Sequence, residues 1–416
     1  MKTSVKRGLL VAGVILGVVA IGAAVIVVRQ ANRAGEVLDQ LAQPGVPQRE
    51  IGVYVLEKDP AQTLGDTVGY AYGGVTDGDA TAQLAAQALG VTPPWTSYPT
   101  AFALVDALEK WECQAVALEE AYQKSLADAR GYEWTETGMR KVGSFQVDAE
   151  VEVPAAPQGT LDRFLVYLGG SDTFGDVSTL SRSDVNILAA VDVTQKKMAL
   201  VATHRDFYVT FPKTGGAKDK LTHAGIYGVD ASIDALERLY GVDVNYYLRV
   251  NFTGFTQIID ALGGVDVYSQ YDFTAGGRQF SQGYNTVNGT EALSFARERY
   301  SFEDGDIQRG RNQMEVIRAV IKKAVSSSLL ANYAAVMDAV SGSFETNMPQ
   351  EKIAELVRMQ LSDMASWNIT TYTAAGQVST VETYSAPGEM LSIVIPDEAS
   401  VQEAKNMINS VLNGGE

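Results

Sequence analysis

Apolar residues recur along the first third of the chain in the patterns of alternating strands and helices. The elements predicted between residues 46 and 155 are a strand at 51–58 (IGVYVLEK), a helix at 78–90 that ends at Gly90, a helix, short strand and helix over 101–129, and an alternating strand at 144–153. Helices that alternate with strands predict a small α/β accessory domain over residues 46–155.

A longer series of apolar runs follows. RFLVYLGG (163–170) is continuously apolar, as in a strand buried on both faces. Further strands are predicted at 185–193, 197–204, 244–252, 264–273, 368–373 and 381–384, and helices at 230–241, 253–264, from Asp306 onward, at 331–340, at 350–364 and at the C-terminus. The series predicts a second α/β domain over residues 160–416, with a C-terminal extension.

The N-terminus is the one stretch too apolar for a soluble domain. Gly8 to Val28 is a run of 21 uncharged, mostly apolar residues, which is enough for one transmembrane helix. Lys2, Lys6 and Arg7 precede it, so the positive-inside rule predicts a cytoplasmic tail at 1–7. A polar linker at 29–45 would then lead to domains outside the cell membrane.

Composition excludes several classes of protein. The net charge of −17 argues against nucleic acid as a partner, because phosphate backbones select basic faces. A single cysteine, Cys113, excludes an intrachain disulfide, and with two histidines it makes a structural zinc site improbable.

Charged residues flank the predicted strands of the second domain. Asp172 follows the first strand, Arg182 and Asp184 precede the next, and Arg205 and Asp206 follow the third. Ligands gather at such strand ends in sheets covered by helices. Each Arg and Asp pair alone has an ordinary explanation as a surface ion pair worth roughly 0–1 kcal/mol.

Arginines also concentrate in ALSFARERYSFEDGDIQRGRNQ, residues 292–313. If LSFARER is an extended strand, Arg297 and Arg299 lie on one side of it and Glu298 on the other. In the helix predicted from Asp306, Arg309 and Gln313 would continue the apolar stripe, near free N–H groups that suit an anion. Arg311 would point away, as an ordinary surface residue.

Two aspartates with several arginines are the groups that a phosphate ester and a divalent metal require. Carboxylate oxygens of Asp172 and Asp184 suit Mg²⁺, and arginines can clamp phosphate oxygens. The chain has no G-x-x-x-x-G-K-[ST] loop, so a nucleotide-hydrolysing P-loop is not indicated. On pattern alone, a phosphate site and a set of surface ion pairs remain equally open.

Seven motifs in this order resemble the LytR-CpsA-Psr family, membrane-anchored enzymes of Gram-positive cell walls. They lie within residues 160 to 325 and read LGGSD, SRSDVNIL, the strand that closes on HRD, DKLTHAGIYG, VNFTGFTQIIDALGGVDV, VNGTEALSFARER and DIQRGRNQ. The resemblance implies an α-β-α sandwich with a central mixed sheet. It also implies transfer of a glycopolymer, such as teichoic acid or capsule polysaccharide, from a polyprenyl (pyro)phosphate carrier to peptidoglycan.

Site residues follow from the resemblance position by position. It implies that Asp172 and Asp184 bind Mg²⁺ (or Mn²⁺). It implies that the residues around the (pyro)phosphate are Arg182, Arg205, Arg297, Arg299, Arg309 and Gln313, and that Arg205, Asp306 and Arg309 are catalytic. Many relatives have an arginine where this chain has Thr173 and Phe174. The alternatives are a polyprenyl pyrophosphate hydrolase and a non-catalytic, membrane-anchored regulator that binds lipid phosphate.

Overall fold

A computed structural model describes residues 46–75, 79–159, 161–303, 305–324, 340, 342–363, 365 and 367–414. The predicted tail, transmembrane helix and linker at 1–45, and all but the last residue of the helix predicted at 331–340, lie outside these segments. In the segments that are described, no helix combines the length and apolarity needed to cross a membrane.

The N-terminal unit, the described residues between 46 and 155, is built on a five-stranded sheet. Its elements are β1 (Gln48–Leu56), β2 (Tyr72–Val75), α1 (Asp79–Leu89), β3 (Trp95–Tyr98), α2 (Ala101–Glu109), β4 (Ala115–Glu119), α3 (Glu120–Leu126) and β5 (Met139–Asp148). The strand order is β3-β2-β4-β1-β5. The predicted strand at 144–153 begins five residues earlier and ends at Asp148, because β5 pairs antiparallel with the whole of β1.

Residues 161–414 contain the remaining elements. In chain order these are β6 (Arg163–Ser171), β7 (Ser183–Asp192), β8 (Lys197–Thr203), β9 (Tyr208–Thr210), β10 (Lys218–Lys220), α4 (Leu221–Tyr227), α5 (Val229–Tyr240), β11 (Tyr246–Val250), α6 (Phe252–Ala261), β12 (Val265–Ser269), β13 (Phe273–Ala275), β14 (Arg278–Phe280), β15 (Gly283–Val287), α7 (Gly289–Arg297), α8 (Asp306–Ala324), β16 (Phe344–Thr346), α9 (Gln350–Asp363), β17 (Asn368–Thr373), β18 (Gly376–Thr383), β19 (Ala386–Pro396) and α10 (Glu398–Leu412).

The central sheet has the strand order β16-β11-β6-β7-β8-β17. The β6, β7 and β8 strands form an antiparallel meander, while β11 runs parallel to β6 and β17 runs parallel to β8. The predicted central mixed sheet is therefore confirmed. Gly241 ends α5 in the left-handed conformation, with φ of 60°, as its position after the apolar stripe predicted.

Both faces of this sheet are buried under helices. Phe164, Val166 and Leu168 of β6 pack on one side, against α6, α7, α8 and α9. Leu165 and Tyr167 pack on the other, against α4, α5 and α10. A continuously apolar strand such as β6 satisfies two helical layers at once, which gives the α-β-α arrangement.

The two units share a core. Ala386 and Leu391 of β19 join the apolar cluster of the N-terminal unit, and Ala129 forms an antiparallel backbone bridge to Leu391. At the other end of the contact, the Gln48 amide donates to the Ser178 carbonyl. These contacts hold α3 beside the carboxyl end of β6.

Candidate active site

Three strands present charged side chains at one edge of the central sheet. Because β6, β7 and β8 are antiparallel in turn, the end of β6, the start of β7 and the end of β8 meet there. Asp172, Arg182, Asp184 and Arg205, which lie within 33 positions of one another in the sequence, therefore converge. The sequence prediction placed these four residues at strand ends, and the structure brings them together.

Asp172 forms a buried ion pair at this edge. Arg182 donates from Nη2 and Nε to Asp172 Oδ2 at 2.6 and 3.1 Å, and the Ser181 hydroxyl donates to Oδ1. The side chains of Asp172 and Arg182 are 7% and 11% exposed. Burial by itself would raise the pKa of Asp172, but Arg182 and Lys124 lower it to about 2. The carboxylate is therefore ionised at any physiological pH.

A second ion pair joins β7 to the end of β8. Arg205 Nη1 donates to Asp184 Oδ1 at 2.6 Å, and the Thr222 hydroxyl donates to the same oxygen at 3.2 Å. Burial would lower the pKa of Arg205, but the surrounding carboxylates, Asp184 foremost, raise it. Asp184 Oδ2 receives no hydrogen bond from the described residues.

Lys220 and Asp206 form a third pair that sequence reasoning did not assign. Lys220, at the end of β10, is 3% exposed, and its Nζ lies 3.3 Å from Asp206 Oδ1. Burial would raise the pKa of Asp206, but Lys220 and Arg205 lower it to about 2. Lys220 therefore adds a formally cationic side chain to the site.

Two more charged residues come from the N-terminal unit. Lys124 of α3 donates to the backbone carbonyl of Asp172 at 2.9 Å. Asp128, in the turn after α3, places its Oδ2 between Arg182, Arg205 and Lys220. We name the set of eight the strand-edge cluster: Lys124, Asp128, Asp172, Arg182, Asp184, Arg205, Asp206 and Lys220. No local signal in the sequence marks Lys124 or Asp128, since only the docking of the two units brings them here.

The arginine-rich stretch differs from the prediction in its local structure. LSFARER is not extended, because residues 289–297 form the helix α7. Asn288 accepts from the Glu291 amide and Glu291 accepts from the Asn288 amide, which is a capping box that starts the helix. The two arginines therefore do not share a strand face: Arg297 ends α7, and Arg299 lies in the following loop.

Arg297 nevertheless lies close to the strand-edge cluster. Its guanidinium stacks over the ring of Phe252, 4.5 Å from the centroid, and that ring packs against Phe174. The Phe252 amide donates to the Thr173 carbonyl at 2.9 Å. Arg297 is exposed, and Phe252 connects it to Thr173, the residue that follows Asp172.

The helix α8 begins at Asp306 as predicted, but its inward stripe is shifted by one residue. Gln308, Asn312 and Val316 are buried, and Asn312 donates to the Phe295 carbonyl at 3.2 Å. Arg309 and Gln313 are half-buried beside this stripe, not on it. Arg311 is exposed, in agreement with its assignment to the surface. The side chain of Asp306 lies outside the described part of the chain, and the roles predicted for Arg299, Arg309 and Gln313 stay predictions.

The predicted metal ligands fit a hard divalent cation. Both Asp172 and Asp184 are held by arginine at the same sheet edge. Both oxygens of Asp172 accept hydrogen bonds, whereas Asp184 Oδ2 receives none from the described residues. Mg²⁺ usually takes one or two carboxylates, with water and substrate phosphate as its other ligands. Within the described residues, no group of three or more His, Cys, Asp and Glu side chains forms a metal cage on its own. Any cation here would therefore depend on the phosphate as well as on the two aspartates.

Comparisons with known proteins show the family of this chain. A model of the LytR_cpsA_psr family matches residues 131–408. A polyisoprenyl-teichoic acid–peptidoglycan teichoic acid transferase, TagU, from Oceanobacillus iheyensis is 32% identical over 257 residues, which covers 60% of this chain and 75% of that protein. The TagU of Bacillus mycoides is 36% identical over 192 residues, so the match spans 46% of this chain and 62% of the relative.

Solved structures show the same fold. The crystal structure of B. subtilis TagV aligns with a TM-score of 0.52 at 25% identity, and the alignment covers 61% of this chain and 98% of that one. The protein gbs0355 from Streptococcus agalactiae aligns with a TM-score of 0.52 at 23% identity, over 61% of this chain and 88% of that one.

Proposed function

Because the chain belongs to the LytR-CpsA-Psr family, we propose that it transfers an anionic glycopolymer from a polyprenyl-(pyro)phosphate carrier to peptidoglycan. One observation carries the proposal: Arg182, Arg205 and Lys220, from three separate segments, all point their charge at one place beside β6. Preorganised cations in a partly buried site neutralise the charge on a transferred phosphoryl group.

The reaction follows from the donor and acceptor chemistry. A hydroxyl oxygen of a peptidoglycan sugar attacks the phosphorus that carries the glycan. The bond from phosphorus to the bridging oxygen of the carrier breaks, and polyprenyl phosphate leaves with that oxygen. The hydroxyl proton passes to a carboxylate, and Asp306 is the acceptor that the family resemblance predicts. The arginines do not form covalent bonds and act only on charge and position.

We propose that Asp172 and Asp184 hold Mg²⁺ or Mn²⁺ together with the phosphate. A cation bound there would neutralise charge on the non-bridging oxygens. Arg182 and Arg205 orient the two carboxylates through the hydrogen bonds described above, so they support the cation as well as the anion.

The apolar run at residues 8–28 supports a further proposal, that a single membrane span keeps this site on the outer side of the cell membrane, where lipid carrier and peptidoglycan meet.

The test uses the purified chain, a lipid-linked glycan donor and peptidoglycan. We expect Arg205→Ala and Asp184→Ala to lower the rate of covalent transfer about a thousandfold or more. Arg205→Ala removes a cation that neutralises the phosphate, and Asp184→Ala removes a proposed ligand of the divalent cation. The control is Arg238→Ala, since Arg238 is exposed on α5, away from the sheet edge.

Wild-type rates in both site variants would contradict the assignment. Release of free phosphate without any glycan on peptidoglycan would mean instead that water is the acceptor and that the chain is a hydrolase. Binding of the donor without turnover, at any metal concentration, would favour a regulator.

A further inference from the structure

Asp128 is held over the strand-edge cluster by the packing of its neighbours. It lies in the turn after α3, in a part of the N-terminal unit that the family match at 131–408 does not reach. Leu126 and Ala129, on either side of it, are each 1% exposed. Ala129 also forms the backbone bridge to Leu391 of β19. The turn is therefore anchored in both units.

The end of α3 is also fastened to the site itself. Arg182 Nη1 donates to the Lys124 carbonyl at 3.0 Å, and Lys124 Nζ donates back to the Asp172 carbonyl at 2.9 Å. Lys124 Nζ lies 3.6 Å from Asp172 Oδ1 as well. This exchange of charged hydrogen bonds fixes where the next turn, and hence Asp128, enters the cluster.

The carboxylate of Asp128 meets three cations without binding any of them tightly. Its Oδ2 lies 3.5 Å from Arg182 Nη1, 3.5 Å from Lys220 Nζ and 3.9 Å from Arg205 Nη2. Charged hydrogen bonds between nitrogen and oxygen are normally about 2.7–2.9 Å. A single carboxylate oxygen lies near all three cations without reaching this distance from any of them. A phosphate has several oxygens, so it could form a separate hydrogen bond to each cation.

Charge balance points the same way. The strand-edge cluster contains four cationic side chains and four carboxylates, so Asp128 brings its formal charge to zero. Without Asp128 the cluster would have one positive charge in excess. A site that receives a phosphate anion would be more attractive with that excess, so Asp128 opposes anion binding.

We propose that Asp128 is a residue that sets the affinity of this site for its phosphate: its carboxylate occupies the place of a phosphate oxygen and weakens the hold of Arg182, Arg205 and Lys220 on the head group. The inference rests on the proposed function, because it assumes that these cations receive the lipid-linked phosphate. A weaker hold favours release of the polyprenyl phosphate product after each transfer.

Calorimetric titration of the full-length chain with inorganic pyrophosphate tests this role. Asp128→Asn and Asp128→Ser should each bind pyrophosphate about tenfold or more tightly than wild type. Arg205→Ala should bind it at least about tenfold more weakly. The matched control is Glu136→Gln, an exposed carboxylate in the same unit, which should bind as wild type does. Thermal unfolding of each variant identifies any that has lost its fold, and the two substitutions at position 128 provide independent readings.

Tighter binding in both Asp128 variants, with the control unchanged, supports the inference. Equal or weaker binding in both folded variants, while Arg205→Ala loses affinity, overturns the inference and leaves the proposed function standing. If Arg205→Ala binds pyrophosphate as tightly as wild type, the cluster is not a phosphate site, and the proposed function fails together with the inference.

Discussion

The strand-edge cluster and Arg297 are two solutions to the same problem of presenting positive charge to an anion. In the cluster, Arg182 is 11% exposed and bound to Asp172 through two nitrogens. Arg297, at the end of α7, is exposed and stacks on Phe252. A buried guanidinium needs a carboxylate partner in the protein, while an exposed one is satisfied by water.

This difference separates position from attraction. Arg182 and Arg205 are locked in place before a ligand arrives, but the carboxylates that lock them also cancel their charge. Arg297 is less constrained and retains its field toward solvent. The protein thus combines a rigid, nearly neutral inner group, which is the strand-edge cluster, with an outer cation, Arg297. Substitutions in the inner group should affect stability strongly, whereas substitution of Arg297 should affect binding more than stability.

The largest expected difference concerns Arg182. Arg182→Ala leaves Asp172 buried with no guanidinium, so we expect the free energy of unfolding to fall by about 3–5 kcal/mol, with transfer lost. Urea denaturation followed by circular dichroism measures the change. Arg182→Lys keeps one charge and loses the double contact, so its stability should lie between those of wild type and alanine. A loss below about 1 kcal/mol in Arg182→Ala would mean that the pair contributes little and would erase the contrast with Arg297.

The second prediction concerns acid. Because the folded-state pKa of Asp206 is lowered to about 2, its contribution to stability is present above its ordinary pKa near 3.8 and is lost as pH falls through the folded value. Between pH 5 and pH 2, wild type should therefore lose about 2 kcal/mol more free energy of unfolding than Asp206→Asn. The measurement is urea denaturation at a series of pH values.

Asp243→Asn is the control for this experiment, since Asp243 is exposed and lies outside the cluster. It should keep the acid sensitivity of wild type. If Asp206→Asn also keeps that sensitivity, Lys220 and Arg205 do not lower the pKa of Asp206 in the folded state. The interpretation of the inner group as a set of fixed charges would then be wrong.

The inner group was largely predictable from the sequence because its members flank apolar strands. Asp172, Asp184 and Arg205 stand directly beside or within runs whose periodicity identified β6, β7 and β8. Antiparallel succession then brings those ends together without further information. Lys220 was harder to assign, because β10 is only three residues long and has no periodicity to detect.

Two features differ from, or are absent from, the sequence-based predictions. The alternation in LSFARER favoured a strand, but the Asn288 and Glu291 capping box one turn earlier starts a helix, and Phe295 is buried on its inner face. The N-x-x-E spacing could have revealed this start. Lys124 and Asp128, by contrast, reach the cluster only because α3 docks against β19, and a contact between distant units leaves no local pattern in either segment.

The smallest expected effect tests the outer member of the comparison. Arg297→Ala removes one exposed charge and its stacking on Phe252, so the free energy of unfolding should change by no more than about 1 kcal/mol. Binding of pyrophosphate should weaken about fivefold to tenfold, because the field at the open side of the cluster falls, and the loss should shrink at high salt as the charges are screened. Calorimetry at two ionic strengths measures both. A loss of stability as large as that of Arg182→Ala would show that Arg297 is a structural residue like the inner arginines, and unchanged binding would show that the outer charge does not act on the site.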